Sequence, residues 1–370
     1  YKMKKNAEWK AGEEYTYTVS LAAAEDPGYT IEGDGSYTVT TADGLKNVAK
    51  LVNEEGKTDI NITLDTDLTL TGEWTPIGID YNHQYTGTFN GKDKTITGLT
   101  VNQEGTNYVG LIGYLGSGGK VQNVVLEGVQ ITSDNSSGYA GGVAGNSFGG
   151  TIENCSVSGS VSGSFSVGGV VGSQWGGSIT GCNSSATVKG VIFAGGIAGE
   201  TNSGASLTGC YATDDVTVEN DGTNNSHAGG VVGYNGGGTL TACYATGNVI
   251  GTGTGTDPIY VGGVTGSNDL GTLTACYHAA ETVSGPDGAT TGGVTGRNFE
   301  DAILGKGTLT ACYWENNQKQ GIGDNHAGTG ETTKVEDDWT EAMNAMNAAL
   351  QNAGSEWRYE LTGALPTLKK

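Results

Sequence analysis

The groups in this chain that could do chemistry are its carboxylates, four histidines and six cysteines, and their spacing argues against most of what they could do. A glycoside hydrolase needs two or three carboxylates close together on one face. A polysaccharide lyase needs a base such as Lys or Arg, with calcium or arginine to neutralise the uronate. Here the acids Asp214, Asp215, Glu219, Asp221, Asp257, Asp269, Asp287, Glu300 and Asp301 fall in variable stretches, and none recurs at one phase of the pattern around them. Between residues 141 and 316 the basic residues are Lys189, Arg297 and Lys306. His83, His227, His278 and His326 are far apart, with no partner spacing for a metal or a nucleophile. No GxSxG, phosphate-binding loop, paired-cysteine zinc motif or D-x-D-x-D-G calcium loop occurs. The reading is no catalytic residue, no metal and no cofactor, with the acidic stretches taken as solvated loops.

The elements that would carry any site are set by a repeat. Its type copy is Gly229–Gly251, GGVVGYNGGGTLTACYATGNVIG. Gly-Gly-apolar elements begin at Gly141, Gly168, Gly195, Gly229, Gly262 and Gly292, so the starts are 27, 27, 34, 33 and 30 residues apart. Such periods mean a stacked array rather than one globular core. Both halves of the unit are Val/Thr/Ile/Tyr runs bounded by Gly, which favours strands. A propeller blade needs about 40–45 residues for four strands. The shortest period has room for one coil of a solenoid. The fold class expected is all-β, a right-handed parallel β-helix with short capping helices at both ends.

Stacking makes equivalent residues into ladders. The first is Leu111, Val143, Val170, Ile197, Val231, Val264 and Val294, and the second is Val121, Ile152, Ile179, Leu207, Leu240, Leu273 and Leu309. The third is Cys155, Cys182, Cys210, Cys243, Cys276 and Cys312, with Val124 one coil earlier. Three residues separate the last two ladders, so the chain must bend between them. Asn123, Asn154, Gly181 and Gly209 tolerate a left-handed bend there. Ala242, Ala275 and Ala311 tolerate it less well, so the bend is expected to open in later coils. Parallel cysteines one coil apart sit wider than a disulfide favours, which makes them a structural ladder of buried free thiols.

The residue after each ladder cysteine is Ser156, Asn183, Tyr211, Tyr244, Tyr277 and Tyr313, with Trp314 next. If the cysteines point inward, Tyr211, Tyr244, Tyr277, Tyr313 and Trp314 form an outward aromatic stripe. Exposed aromatics suit sugar faces or a protein partner. The competing reading is ring stacking from coil to coil, under a loop, that stabilises the solenoid.

The net charge of −22 opposes nucleic acid or an anionic membrane as partner. No apolar run approaches ~18 residues, so no membrane insertion is expected. The first residue is Tyr, and the reading is a fragment whose export signal and outer-membrane anchor lie in a missing upstream region.

The repeat resembles the GLUG motif, which Gly110-Leu111-Ile112-Gly113 matches letter for letter and later copies match with Val or Ile for Leu. The resemblance covers roughly residues 60–316. It implies a secreted or surface protein of bacteria, many of the Bacteroides group, with a role in adhesion and no catalytic residue. Trp9-Lys10-Ala11-Gly12 and Tyr15–Val19 resemble the closing strand of a fimbrillin-like β-sandwich.

The expected organisation is 1–20 as that strand, 21–58 as connector and N-terminal capping helix, 59–316 as the β-helix, and 317–370 as loop, capping helix and tail. Leu45, Val48, Ala49 and Val52 recur at helical spacing, with Thr41 or Asp43 as cap and Gly56 as stop. Trp339, Met343, Met346 and Leu350 do the same after Asp337 or Asp338, with Gly354 as stop. The functional reading is a monomeric, non-catalytic surface module that binds glycan or extracellular protein. The alternatives are a carbohydrate-active lyase or hydrolase and a structural stalk.

Overall fold

The structure, a computed structural model, describes residue 12 and residues 26–102, 105–303 and 305–370. The fimbrillin-like strand expected over residues 1–20 therefore lies outside the described residues, apart from Gly12. The chain forms a β-solenoid of about nine turns, with two α-helices among the described residues, one near each end.

Each coil contributes to three sheets of 7, 9 and 23 strands, nearly all paired in parallel. In the type coil these strands are Ser226–Gly229, then Val232–Gly236, then Thr239–Thr241, Tyr244–Ala245 and Val249–Gly253. The three expected ladders are all inside: Val231, Leu240 and Cys243 are fully buried, as are their counterparts in neighbouring coils. All six cysteines are free thiols. Burial pushes the thiols of Cys182, Cys210 and Cys276 well above their ordinary range.

The bend between the second and third ladders is left-handed in every coil. Asn123, Asn154, Gly181 and Gly209 have φ of 53°, 51°, 64° and 66°. Ala242, Ala275 and Ala311 follow at 54°, 53° and 49°, so the expected opening of the later bends does not occur. A left-handed alanine costs about 1–2 kcal/mol, and packing offsets it. Ala242 and Ala275 are sealed beneath the C-terminal segment, where the Tyr359 hydroxyl donates to the Ala275 carbonyl at 2.9 Å. At Gly209 the Trp357 indole occupies that place, 2.3 Å from where a Cβ would stand, so only glycine fits.

Two further ladders were not anticipated. Thr201, Asn235, Asn268, Asn298 and Asn325 stack in register and hydrogen-bond in series at 2.8, 2.8, 3.0 and 3.1 Å. Asn235 and Asn268 also donate to Gly238 O and Gly271 O, which closes the turn beside each. The other ladder is Leu126, Val157, Ser184, Ala212, Ala245, His278 and Trp314. It is buried and, from Val157 on, faces the second glycine of each Gly-Gly pair. Side-chain volume along it falls to the middle coils and rises again. A methyl group on Gly263 would lie 2.5 Å from the His278 ring, and one on Gly293 would lie 2.3 Å from Trp314.

Helix α1, Ala42–Asn53, is capped by Thr41, whose side chain accepts from Gly44 N at 3.0 Å. Its Leu45, Val48, Ala49 and Val52 are buried in one cluster with Val39, Ile62 and Leu64 of the first rungs. Helix α2, Thr340–Asn352, has Trp339 rather than the expected Asp337 or Asp338 at its N-cap, with no side-chain cap, and Asp338 one residue earlier accepts from Thr340 N at 2.7 Å. The buried face of α2 (Ala342, Met346 and Leu350), with Trp339 just before it, meets the tyrosine ladder on the flank of the coils.

Candidate functional site

The Gly-Gly-apolar-x-Gly motif is a fold between two sheets that leaves room for backbone only. A Cβ on Gly229 would lie 2.0 Å from Val232 O and 2.7 Å from Gly266 N. One on Gly233 would lie 2.6 Å from Gly199 O and 2.7 Å from Ala194 N. The side chains flanking that corner are consequently drawn into one line. Two positions before each pair, and before Gly110 of the first copy, stand Tyr108, Tyr139, Ser166, Phe193, His227, Tyr260 and Thr290, in register. Directly after the motif stand Tyr114, Asn146, Ser173, Glu200, Tyr234, Ser267 and Arg297, also in register.

Rings of the two series, joined by Tyr81 and Phe165, form a continuous aromatic line. Its ring centroids are separated by 5.9 Å (Tyr81–Tyr114), 5.1 Å (Tyr114–Tyr108), 5.5 Å (Tyr108–Tyr139), 5.2 Å (Tyr139–Phe165) and 5.6 Å (Phe165–Phe193). Phe193 then stacks on Tyr234 at 5.1 Å, and His227 on Tyr260 at 5.1 Å. The Arg297 guanidinium continues the line, 5.4 Å from the Tyr260 ring and 4.3 Å from Phe299. Tyr108, Tyr139, Phe165, Phe193, Tyr234 and Tyr260 are half-buried, so their rings remain at the surface. Phe148 and Trp175, paired on adjacent coils, are 49% and 45% exposed beside it.

Polar groups are set among these rings. Ser173 Oγ donates to Glu200 Oε1 at 2.7 Å. Burial raises the Glu200 carboxyl above the usual range, against the Ser173, Trp175 and Asn202 side chains. Asp269 pairs with Arg297 at 3.1 Å. Burial raises its carboxyl as well, opposed by Arg297 and by the Tyr234 hydroxyl. His227 Nδ1 is 2.8 Å from Ser267 Oγ, and burial, then Arg297, pushes its pKa down to about 3, so the ring is neutral. Phe193, Asn224, His227, Tyr234, Asp269 and Arg297 line a recess of about 560 Å³.

The tyrosines singled out from the sequence are elsewhere. Tyr211, Tyr244 and Tyr277 do stack, at 5.0 and 4.8 Å with planes within 4° and 2°. They do not form an exposed stripe. Tyr244 and Tyr277 are 6% and 0% exposed, beneath Trp339, Tyr359 and α2, and Tyr277 donates its hydroxyl to Pro366 O. Tyr211 and Tyr313 are half-buried at the ends of that ladder. Trp314 is not part of the stripe. Strand alternation turns it inward, opposite to Tyr313, where it faces Gly293. Of the acids placed in loops, Glu219, Asp269, Glu300 and Asp301 prove to be strand residues, and Asp269 is buried. Glu200, Tyr234 and Phe193 were missed. The usable signals were the positions directly after each motif and two before it, which change from coil to coil while the motif does not. No group of three or more His, Cys, Asp or Glu among the described residues could hold a metal. Among them no helix is long and apolar enough to cross a membrane.

Two histidines give the fold a pH dependence. His278 is fully buried, with Nε2 at 2.9 Å from Gly247 O and Nδ1 at 2.9 Å from the Asn316 amide. Donation from Nε2 and acceptance at Nδ1 satisfy the neutral ring, and burial lowers its pKa to about 4. The folded values of both rings lie below the ordinary 6.5. Their contribution is therefore complete above pH 6.5 and is lost as pH falls toward 4. The expected loss is about 1 kcal/mol per pH unit for each histidine. The raised carboxyls of Glu200 and Asp269 act the other way and flatten the slope at its acid end. Calorimetric Tm between pH 7.5 and 4.5 checks this, and His278→Gln should remove part of the slope.

Comparison with known proteins agrees with the repeat. Residues 136–162, 163–189 and 224–250 match the GLUG motif. The chain is 40% identical over 93 residues to Halomucin of Haloquadratum walsbyi, covering 25% of this chain and 1% of that protein. It is 35% identical over 128 residues to a candidate Gly-rich membrane protein of Evansella cellulosilytica, covering 34% of this chain and 14% of that one. The chain thus spans only a small part of these curated relatives. A crystal structure from Bacteroides ovatus, of a candidate immunoglobulin A1 protease, superposes with a TM-score of 0.58 at 18% identity. That match covers 93% of this chain and 95% of the other, and it establishes a shared fold.

Proposed function

We propose that this chain is a non-catalytic cell-surface module that holds glycan along the aromatic line at the glycine corner. The observation that carries the reading is the continuity of that line, from Tyr81 to Phe299, with most of its rings at the surface. Ring faces and edges, with hydroxyl and carboxyl groups between them, suit pyranose rings. From Tyr108 through Tyr139 and Phe165 to Phe193 the line carries one ring per coil, spaced 5.5, 5.2 and 5.6 Å, close to the advance of an extended pyranose chain per sugar. A net charge of −22 favours neutral glycans over polyanionic ones. The GLUG match and a relative named as a membrane protein support a surface location.

The two buried carboxyls support catalysis less well. Glu200 and Asp269 stand on strands two coils apart, roughly 10 Å of stack, and Asp269 is already paired with Arg297.

A glycan and matrix-protein array tests the reading. Tyr139→Ala and Phe193→Ala should each weaken glycan binding about tenfold, or ~1.4 kcal/mol, and Tyr211→Ala should leave it unchanged. Binding to matrix proteins alone would move the ligand class, and release of sugar products would replace the module with an enzyme. Absence of any binding would leave a stalk.

A further inference from the structure

The recess near the middle of the line has its own chemistry. Phe193 and Tyr234 stack at 26° and form one wall. The paired charges in the lining are Asp269 and Arg297, held together at 3.1 Å, with Asn224 on an exposed loop beside them. Arg297 is fixed between two rings and Asp269, so its guanidinium is preorganised. Asp269 Oδ1 is sealed from solvent, with the Tyr234 hydroxyl beside the carboxyl, and Oδ2 is the oxygen paired with Arg297.

We infer that this recess is a subsite for one neutral hexopyranose unit, whose two adjacent hydroxyls bridge Asp269 and Arg297 while its ring packs against the Phe193–Tyr234 stack. One hydroxyl donates to the carboxylate and the other accepts from the guanidinium, so an ion pair matches a diol without a change of charge. A uronate would set its carboxylate against Asp269 and Asp257 and has no second cation in the lining to meet it. His227, neutral and tied to Ser267, supplies ring surface rather than charge. The inference rests on the glycan reading above and narrows it.

The test is titration of the whole chain with methyl glucoside, methyl galactoside, methyl mannoside and methyl glucuronide, followed by ligand-observed NMR. Saturable binding of at least one neutral hexoside, with weaker binding of the glucuronide, is expected. Asp269→Asn and Phe193→Ala should each weaken it tenfold or more. Asn224→Ala, on the exposed loop, should weaken it severalfold with Tm unchanged, which keeps the test valid if Asp269→Asn folds poorly. Full affinity in both Asp269→Asn and Asn224→Ala would overturn the subsite, as would an equal loss in Tyr108→Ala several coils away. If wild type binds glycan chains on the array but none of the hexosides, the subsite fails and the broader reading stands. If it binds neither, both fall.

Discussion

Gly229→Ala is expected to break the solenoid in the middle. The added Cβ would lie 2.0 Å from Val232 O, 2.7 Å from Gly266 N and 2.8 Å from the Thr265 Cα, all of them backbone atoms held in sheets. Overpacking a core usually costs about 1–3 kcal/mol because side chains yield. Here no side chain is available to yield, so a loss of about 3 kcal/mol or more is expected. Stability in a stacked array is close to a sum over neighbours. Guanidinium unfolding should therefore split into two transitions, one for the coils on each side. Gly33→Ala is the control, because its Cβ would meet nothing within 4 Å. An unchanged single transition for Gly229→Ala would refute the backbone-only account of the corner.

Tyr277→Ala should cost about 3–5 kcal/mol, the range for removing a large buried aromatic. It loses the stack on Tyr244, the tilted contact with Trp339 at 4.7 Å and the bond to Pro366 O. The C-terminal segment should loosen as well, and limited proteolysis would then cut after residue 335, between the last rung and α2. Glycan binding should persist under conditions where the variant is folded. Phe193→Ala, half-exposed at the corner, should do the reverse. If Tyr277→Ala kept its stability and lost ligand, the tyrosine ladder would have to be treated as a binding site after all.

These two positions show what could be read from the chain. Residues a fixed distance from the motif became ladders because parallel stacking repeats one register, so the inward series ending at Val294, Leu309 and Cys312 followed from spacing alone. The stacking of Tyr211, Tyr244 and Tyr277 followed in the same way. Their burial did not. It depends on α2 and Tyr359 docking from about 60–115 residues further along the chain, and no local pattern encodes that contact. The left-handed alanines were misjudged for the same reason, since what holds Ala275 is Tyr359. The corner line was missed because its members share a place rather than a residue type. Tyr139, Phe193, His227 and Tyr260 look unrelated until the register sets them side by side.

The graded ladder from Leu126 to Trp314 has a consequence for assembly. A stack of near-identical parallel strands could pair one coil out of step with little loss of hydrogen bonding. Here a slip of one coil would bring Trp314 against Gly263, where the space fits His278, or in the other direction would leave Ala245 facing the space shaped for His278 and His278 facing the space shaped for Trp314. Each coil is thereby matched to one neighbour by size. The same mismatch penalises exchange of coils between two copies of the chain. Repetition supplies the architecture, and departures from repetition give each rung its own address.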